Sequence, residues 1–150
     1  MIYWLPAIIW TALVFIASFD AFSAEHTGSI LEFVLTKVYG PISAERFIFI
    51  HFLTRKTAHV TEYGILAWFY FRAFRDGRDP HAHDWRMIWA RRAWAVCIAV
   101  AATDEFHQSF VASRTSSPWD VVIDASGAAV VLAMVWLHSR WSSPQREQLA

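Results

Sequence analysis

The stretch from Thr54 to Phe74, TRKTAHVTEYGILAWFYFRAF, divides into a polar half and an apolar half. The polar half carries the ionisable residues Arg55, Lys56, His59 and Glu62. The other half is apolar without interruption from Ile65 to Phe71. An α-helix of this length covers about 31 Å at 1.5 Å per residue, which is enough to cross the hydrocarbon core of a bilayer. Because ionisable residues are expensive inside a membrane span, the polar half is the first candidate for a functional site.

The composition of the chain favours lipid over water as its solvent. Of its 150 residues, 56% are hydrophobic and 17% are charged, and there are nine Trp and twelve Phe. Soluble domains carry about one quarter charged residues, and one soluble core of this size cannot bury so much apolar surface. The formal net charge is zero, so no nucleic-acid partner is expected. The single cysteine, Cys97, is interpreted as a small core residue.

Three further stretches predict additional spans: Ile2 to Phe19, Ala90 to Val111, which turns polar after Thr103, and Val121 to Leu137, which Asp124 interrupts. We therefore predict an all-α, polytopic membrane protein with one domain, residues 1–150, and four transmembrane helices at about 2–19, 54–74, 90–111 and 121–137. A cleaved signal peptide is the alternative for the first stretch. A signal peptide would have Lys or Arg before its apolar core, and this sequence has neither there.

The segment between the first two spans predicts a short amphipathic helix at the membrane interface. Residues 28–39 place an apolar stripe at helical spacing: Ile30, Leu31, Phe33, Val34 and Val38. Gly40-Pro41 ends this helix. Ser43 can cap a new helix, whose stretch from Phe47 to Leu53 is too short to span a bilayer.

The distribution of basic residues predicts the orientation of the chain. The segment from residue 72 to 92 contains Arg72, Arg75, Arg78, Arg86, Arg91 and Arg92, and the C-terminal tail adds Arg140 and Arg146. The opposite loops contain Lys37, Arg46, Arg55, Lys56 and Arg114. Short loops rich in Lys and Arg stay in the cytoplasm, so we expect a cytoplasmic-membrane protein with both termini on the cytoplasmic side.

This orientation places the ionisable residues of three spans at one depth. His59 and Glu62 fall in the outer half of the second span, Asp104 and Glu105 in the outer half of the third, and Asp124 just inside the fourth. Each such residue costs about 2.5 to 3.5 kcal/mol deep in a bilayer. We therefore expect these side chains to face one another in a single polar site near the outer face.

The same residues resemble a known family, the VanZ-like proteins. The resemblance is carried by Arg55 to Tyr63 (RKTAHVTEY), by Asp104 to Gln108 (DEFHQ), and by Arg114 followed by Asp120 to Gly127 (DVVIDASG). Members of this family are small integral membrane proteins, and the founding member is linked to low-level resistance to the glycopeptide teicoplanin. The resemblance implies a multi-pass protein of the cell envelope with a role in antibiotic resistance.

The resemblance and the residues together give a set of candidate site residues. We predict that four side chains handle protons as catalytic candidates: His59, Glu62, Asp104 and Glu105. We predict that six more bind ligand: Lys56, Tyr63, Gln108, Arg114, Asp120 and Asp124. No cofactor is predicted, and no metal either, since the HExxH and ExxH spacings are absent.

Three hypotheses for function remain open. In the first, Lys56 and Arg114 hold the anion of an amphiphilic envelope molecule, such as a lipid-linked phosphate, a peptidoglycan precursor or a glycopeptide. In the second, the protein is a non-catalytic scaffold or partner-binding subunit whose polar network only fixes helix packing. The third is a small transporter, which would have to oligomerise. The residues do not decide whether a bond is cleaved, and besides membrane lipids they identify no partner.

Overall fold

The described residues form five α-helices and no strand. The computed structural model describes residues 2–18, 24–75, 85–110 and 116–142. The helices are α1 (Leu5–Ala17), α2 (Ala24–Tyr39), α3 (Ala44–Arg75), α4 (Met87–Gln108) and α5 (Pro118–Ser142). The prediction of an all-α protein is thus confirmed for this part of the chain.

The third helix is longer than the sequence suggested. Residues 47–53 and the stretch from Thr54 onward belong to one continuous helix of 32 residues, about 48 Å long. The helix begins after Ser43, whose carbonyl oxygen accepts the N–H of Phe47 at 3.0 Å. No proline lies between Ala44 and Arg75, so the change from apolar to polar residues at Thr54 does not interrupt the backbone. The stretch from Phe47 to Leu53, expected to be too short to span, and the span expected from Thr54 thus belong to one helix.

The helix α2 and its end agree with the sequence analysis. The apolar stripe predicted for this helix is largely exposed at Ile30, Phe33, Val34 and Val38. The helix ends at Gly40, whose φ of +80° lies in the left-handed region that only glycine adopts without strain. The N–H of Gly40 donates to the carbonyl of Thr36 at 3.0 Å, which closes the last turn.

The long helix α3 lies at the centre of the bundle, and the directions of α1, α4 and α5 are described relative to it. Contacts between α3 and α5 advance in the same direction along both chains, from Lys56 with Asp120 to Gly64 with Val131, so the two helices are parallel. The helix α4 runs antiparallel to both. The helix α1 is also antiparallel to α3, because Trp4 packs on Phe74 near one end and Trp10 donates to the carbonyl of Glu62 nearer the other.

The helices α3 and α5 approach most closely at Gly127. A Cβ atom placed on Gly127 would lie 2.8 Å from the Cα of Val60. Because this is a backbone atom, no change of side-chain rotamer can relieve the clash. On the opposite helix, a Cβ on Gly64 would lie 2.8 Å from a methyl group of Val131. Small residues at such crossings let two helix backbones pack closely, as they do in membrane helices.

The distribution of polarity is the reverse of that in a soluble bundle. The interior contains buried polar and acidic side chains: Ser18, Asp104, Glu105, Gln108, Asp120 and Asp124. The outer surface carries large apolar side chains, including Ile8, Leu13, Phe52, Val130 and Met134. Soluble proteins rarely expose apolar patches of such extent.

Length and hydropathy identify one spanning candidate in the described part of the chain. The segment Pro118–Trp141 is long and apolar enough to cross a membrane, and Leu5–Ala17 is a shorter apolar helix. The helices α3 and α4 are long enough, but each carries charged residues along its length. The prediction of four spans is therefore not confirmed by this criterion.

We predict that Gly127→Ala destabilises the protein by about 1 to 3 kcal/mol, because the new methyl group meets the backbone of Val60 and forces α5 away from α3. Thermal unfolding in detergent, followed by tryptophan fluorescence, measures this effect. Gly28→Ala is the matched control, since its Cβ would have only ordinary contacts, the nearest 3.7 Å from the His51 ring. Equal melting temperatures for the two variants would contradict the close approach.

Candidate functional site

Two ion pairs join α3 to α5 at the end of the bundle where α5 begins. Lys56 Nζ contacts Asp120 Oδ1, and one turn further along both helices His59 Nδ1 lies 3.1 Å from Asp124 Oδ1. The two pairs are in register because α3 and α5 run parallel. Asp124 is 1% exposed, so its carboxyl group is removed from solvent and relies on the hydrogen bond with His59.

The helix α4 contributes two carboxylates that are held in different ways. Asp104 Oδ2 accepts a hydrogen bond from Gln108 Nε2 at 2.8 Å, one turn further along the same helix. Gln108 Nε2 also lies 3.4 Å from Ser18 Oγ, which connects the end of α4 to the end of α1. Both Asp104 and Gln108 are buried, so this link is a polar contact inside the bundle.

Glu105 connects α4 to the start of α5. Its Oε2 accepts the backbone N–H of Ser117 at 2.7 Å, just before the first helical residue, Pro118. A carboxylate at a helix N-terminus satisfies a free N–H group and interacts favourably with the helix dipole. Asp120, in the first turn of α5, benefits from the same dipole. Glu105 and Asp120 therefore stabilise the N-terminus of α5 in addition to forming part of the site.

The four carboxylates form one electrostatic cluster. Asp104, Asp120 and Asp124 all lie close enough to Glu105 for their charges to interact with it. Asp120 and Asp104 interact in the same way with Asp124. The ionisable residues of the three long helices were expected to converge. The geometry agrees with this expectation for the four carboxylates and for their basic partners, Lys56 and His59.

Three buried oxygen atoms in this cluster have no hydrogen-bond partner among the described residues. They are Tyr63 Oη, Asp104 Oδ1 and Glu105 Oε1. Tyr63 is 1% exposed and lies within electrostatic range of both Asp124 and Asp104. Buried polar groups in folded proteins nearly always have partners, so these three atoms are the part of the cluster whose hydrogen bonds the described residues do not satisfy.

Glu62 lies at the edge of the cluster. It is half-buried and interacts electrostatically with His59 and Tyr63, but it also lines an apolar groove of about 630 Å³ beside Trp10 and Thr61. The hydrogen bond of His59 Nδ1 is to Asp124 and not to Glu62, the other proton-handling candidate on α3. The reason is that α5 lies directly against His59, which the spacing within α3 cannot reveal.

Other predicted and unpredicted residues complete the site. Arg114 lies outside the described residues. Ser18 and Ser117 were not predicted; the only signal for Ser18 is its position at the polar end of an apolar run, and Ser117 acts through its backbone. Within residues 2–18, 24–75, 85–110 and 116–142, no group of three or more His, Cys, Asp or Glu side chains is arranged to hold a metal ion.

Comparison with known proteins gives a match at the level of the family. A family model described as VanZ/LLP1 matches residues 3–139, nearly the whole chain. No curated protein and no solved structure matches the chain.

We predict that His59 and Asp124 stabilise the fold jointly. In a double-mutant cycle, His59→Ala and Asp124→Ala should show a coupling energy of about 1 to 3 kcal/mol, because His59→Ala leaves the buried Asp124 without its partner and Asp124→Ala does the same to the half-buried His59. Chemical unfolding in detergent micelles measures the four free energies. The control cycle combines His59→Ala with Ser126→Ala, an exposed residue two positions beyond Asp124, and should be additive. Additivity in both cycles would show that the ion pair does not contribute.

Proposed function

The chain belongs to the VanZ/LLP1 family, whose members are membrane-associated, and we propose that it is a four-span membrane protein whose polar site binds the headgroup of an amphiphilic envelope molecule. The proposal has two parts: the site lies in the outer half of the bilayer, and its free groups select a headgroup rich in hydrogen-bond donors.

The distance between the site and the arginines at the opposite end of the bundle supports a position in the outer half of the bilayer. At 1.5 Å per residue, His59 lies about 20 Å from Arg72 along α3, Asp104 about 18 Å from Arg92 along α4, and Asp124 about 24 Å from Arg140 along α5. Arginines at the ends of spans mark the cytoplasmic interface. In a hydrocarbon core about 30 Å thick, the carboxylates then lie in the outer half, within reach of an outer-leaflet molecule.

The side chains at this end support the same orientation. Arg72 lies over Trp68, Arg86 over Trp89 and Arg140 over Trp136, each with 5.2 to 6.0 Å between the guanidinium carbon and the ring centroid. Tryptophan and arginine are both typical of the membrane interface. The three pairs come from three different helices, so this end of the bundle forms an interfacial belt.

The chemistry of the free groups supports a donor-rich headgroup. Two of the three unpartnered oxygens belong to carboxyl groups, which accept hydrogen bonds when ionised, and the third belongs to Tyr63. Among the described residues, the cluster combines four carboxylates with two bases, Lys56 and His59. A ligand that brings hydroxyl, amide or ammonium donors complements this arrangement, whereas a bare anion has to compete with Asp120 for Lys56.

These features lead to a specific class of ligand. A lipid-linked peptidoglycan precursor carries sugar hydroxyls and peptide amides next to a lipid chain, so it combines the donors with an apolar part that stays in the bilayer. A glycopeptide is the other donor-rich molecule that the family suggests. In either case, we propose that His59, Asp104 and Glu105 exchange protons with the bound headgroup, that Glu62 lies at the edge, and that this binding contributes to glycopeptide resistance.

A second candidate function is a non-catalytic scaffold. The two ion pairs between α3 and α5, together with the contact at Gly127, favour it, because they already account for Lys56, His59, Asp120 and Asp124 as packing elements. They do not account for the unpartnered oxygens of Tyr63, Asp104 and Glu105. That observation makes ligand binding the better proposal.

We predict that Tyr63→Phe weakens ligand binding by about three- to tenfold without lowering stability. The Tyr63 hydroxyl has no hydrogen-bond partner among the described residues, so the change removes only the hydrogen bond that it makes to the ligand. The matched control is Tyr70→Phe. The Tyr70 hydroxyl lies 2.9 Å from Thr11 Oγ1, so this change should lower stability by about 1 kcal/mol and leave binding unchanged. Native mass spectrometry with a lipid-linked peptidoglycan precursor measures binding, and thermal unfolding measures stability.

The bare polyprenyl phosphate serves as the comparison ligand in the same experiment. The proposal expects the precursor to bind more tightly than the phosphate alone, with the difference reduced in Tyr63→Phe and in Asp104→Asn. If both variants bind the precursor as the unchanged protein does, and Asp104→Asn only lowers the melting temperature, the scaffold function replaces the proposed one.

A further inference from the structure

A groove between α4 and α5 lies at the arginine-rich end, far from the site described above. Its volume is about 370 Å³, and three alanines line it: Ala90, Ala129 and Ala133. Their small side chains leave a depression between the two antiparallel helices. The groove opens onto the outside of the bundle, where lipid surrounds a membrane protein.

Tryptophan side chains border this depression. Trp85, Trp94 and Trp136 line it, and Trp94 is held in place because its indole N–H donates to the carbonyl of Ala125 at 2.9 Å. The indole N–H of Trp85 is buried and has no hydrogen-bond partner among the described residues. The exposed walls of the groove are thus apolar.

Two arginines supply positive charge at the groove. Arg91 lines it directly, and Arg140 lies over the ring of Trp136, 5.2 Å from its centroid. The acidic residues of α4 and α5 are all near the other end of these helices; Asp104, the nearest to Arg91 along α4, is about 20 Å away. Within the described residues, no salt bridge involves either arginine.

We propose that this groove binds an anionic phospholipid of the leaflet at the arginine-rich end. One acyl chain lies along the alanines, and the phosphate contacts Arg91 and Arg140. Arginine suits phosphate because its guanidinium group donates two parallel hydrogen bonds, and basic pockets between membrane helices bind anionic lipid headgroups. A free phosphate would satisfy the arginines but leave the apolar groove unfilled, so the lipid is the occupant that matches both features.

The inference does not depend on the ligand of the acidic site. The groove and that site lie at opposite ends of the helices, and different residues form them. It requires only that the bundle lies in a membrane with its arginines at one interface.

Native mass spectrometry of the full-length protein in mild detergent tests the proposal. The protein is titrated with phosphatidylglycerol and with phosphatidylcholine of the same acyl chains. We expect phosphatidylglycerol to bind more tightly, with the preference falling as salt rises, and Arg91→Gln to weaken its binding about fivefold. Arg92→Gln is the matched control: it removes the same charge one residue further along α4, outside the groove lining, and should bind as the unchanged protein does.

A groove-filling variant provides a second measurement that does not alter charge. Ala133 is exposed within the groove, so Ala133→Phe should fill it, lower phosphatidylglycerol binding and leave the melting temperature unchanged. Equal binding of the two lipids, or equal losses in Arg91→Gln and Arg92→Gln, would overturn the proposal. So would displacement of the lipid by millimolar inorganic phosphate, or phosphatidylglycerol binding by Ala133→Phe equal to that of the unchanged protein.

Discussion

The cost of a carboxylate away from water is the constraint on which this structure depends. Asp104, Glu105, Asp120 and Asp124 are all buried, and an unpaired charge in such surroundings is strongly destabilising. Each carboxylate is therefore held by a group from another part of the chain or another turn: Lys56, His59, Gln108 or the backbone of Ser117. The helix arrangement follows from the need to bring these groups together.

Close packing of α3 on α5 and compensation of charge support each other. The salt bridges at Asp120 and Asp124 require the two helices to run side by side in a fixed register, and the absence of a side chain at Gly127 permits it. Beyond this point the contact becomes apolar, with Gly64 against Val131. The polar residues thus set the register at one end, while packing of small and apolar residues holds the helices along the rest of their length.

The sequence predicted which residues gather, but it did not predict all of their partners. Depth follows from the position of a residue along a helix, so the convergence of His59, Asp104 and Asp124 could be inferred from three separate segments. Partner choice depends on the rotation of each helix about its axis, which one sequence does not contain; hence Asp124, not Glu62, is the hydrogen-bond partner of His59. A helix start after Ser43 was predicted, but residues 47–53 were treated apart from the span at Thr54, because hydropathy changes at Thr54 whereas backbone helicity continues.

The central claim is that the acidic cluster lies in the outer half of a membrane, with the arginines at the cytoplasmic face. Labelling of single cysteines with a membrane-impermeant maleimide tests it directly, and the native Cys97 contributes little background because it is fully buried. Ser109→Cys, just beyond the cluster at the end of α4, should react in intact cells, whereas Arg92→Cys at the other end should react only after permeabilisation. Labelling of both positions from the same side, or of Arg92→Cys alone in intact cells, would contradict the claim.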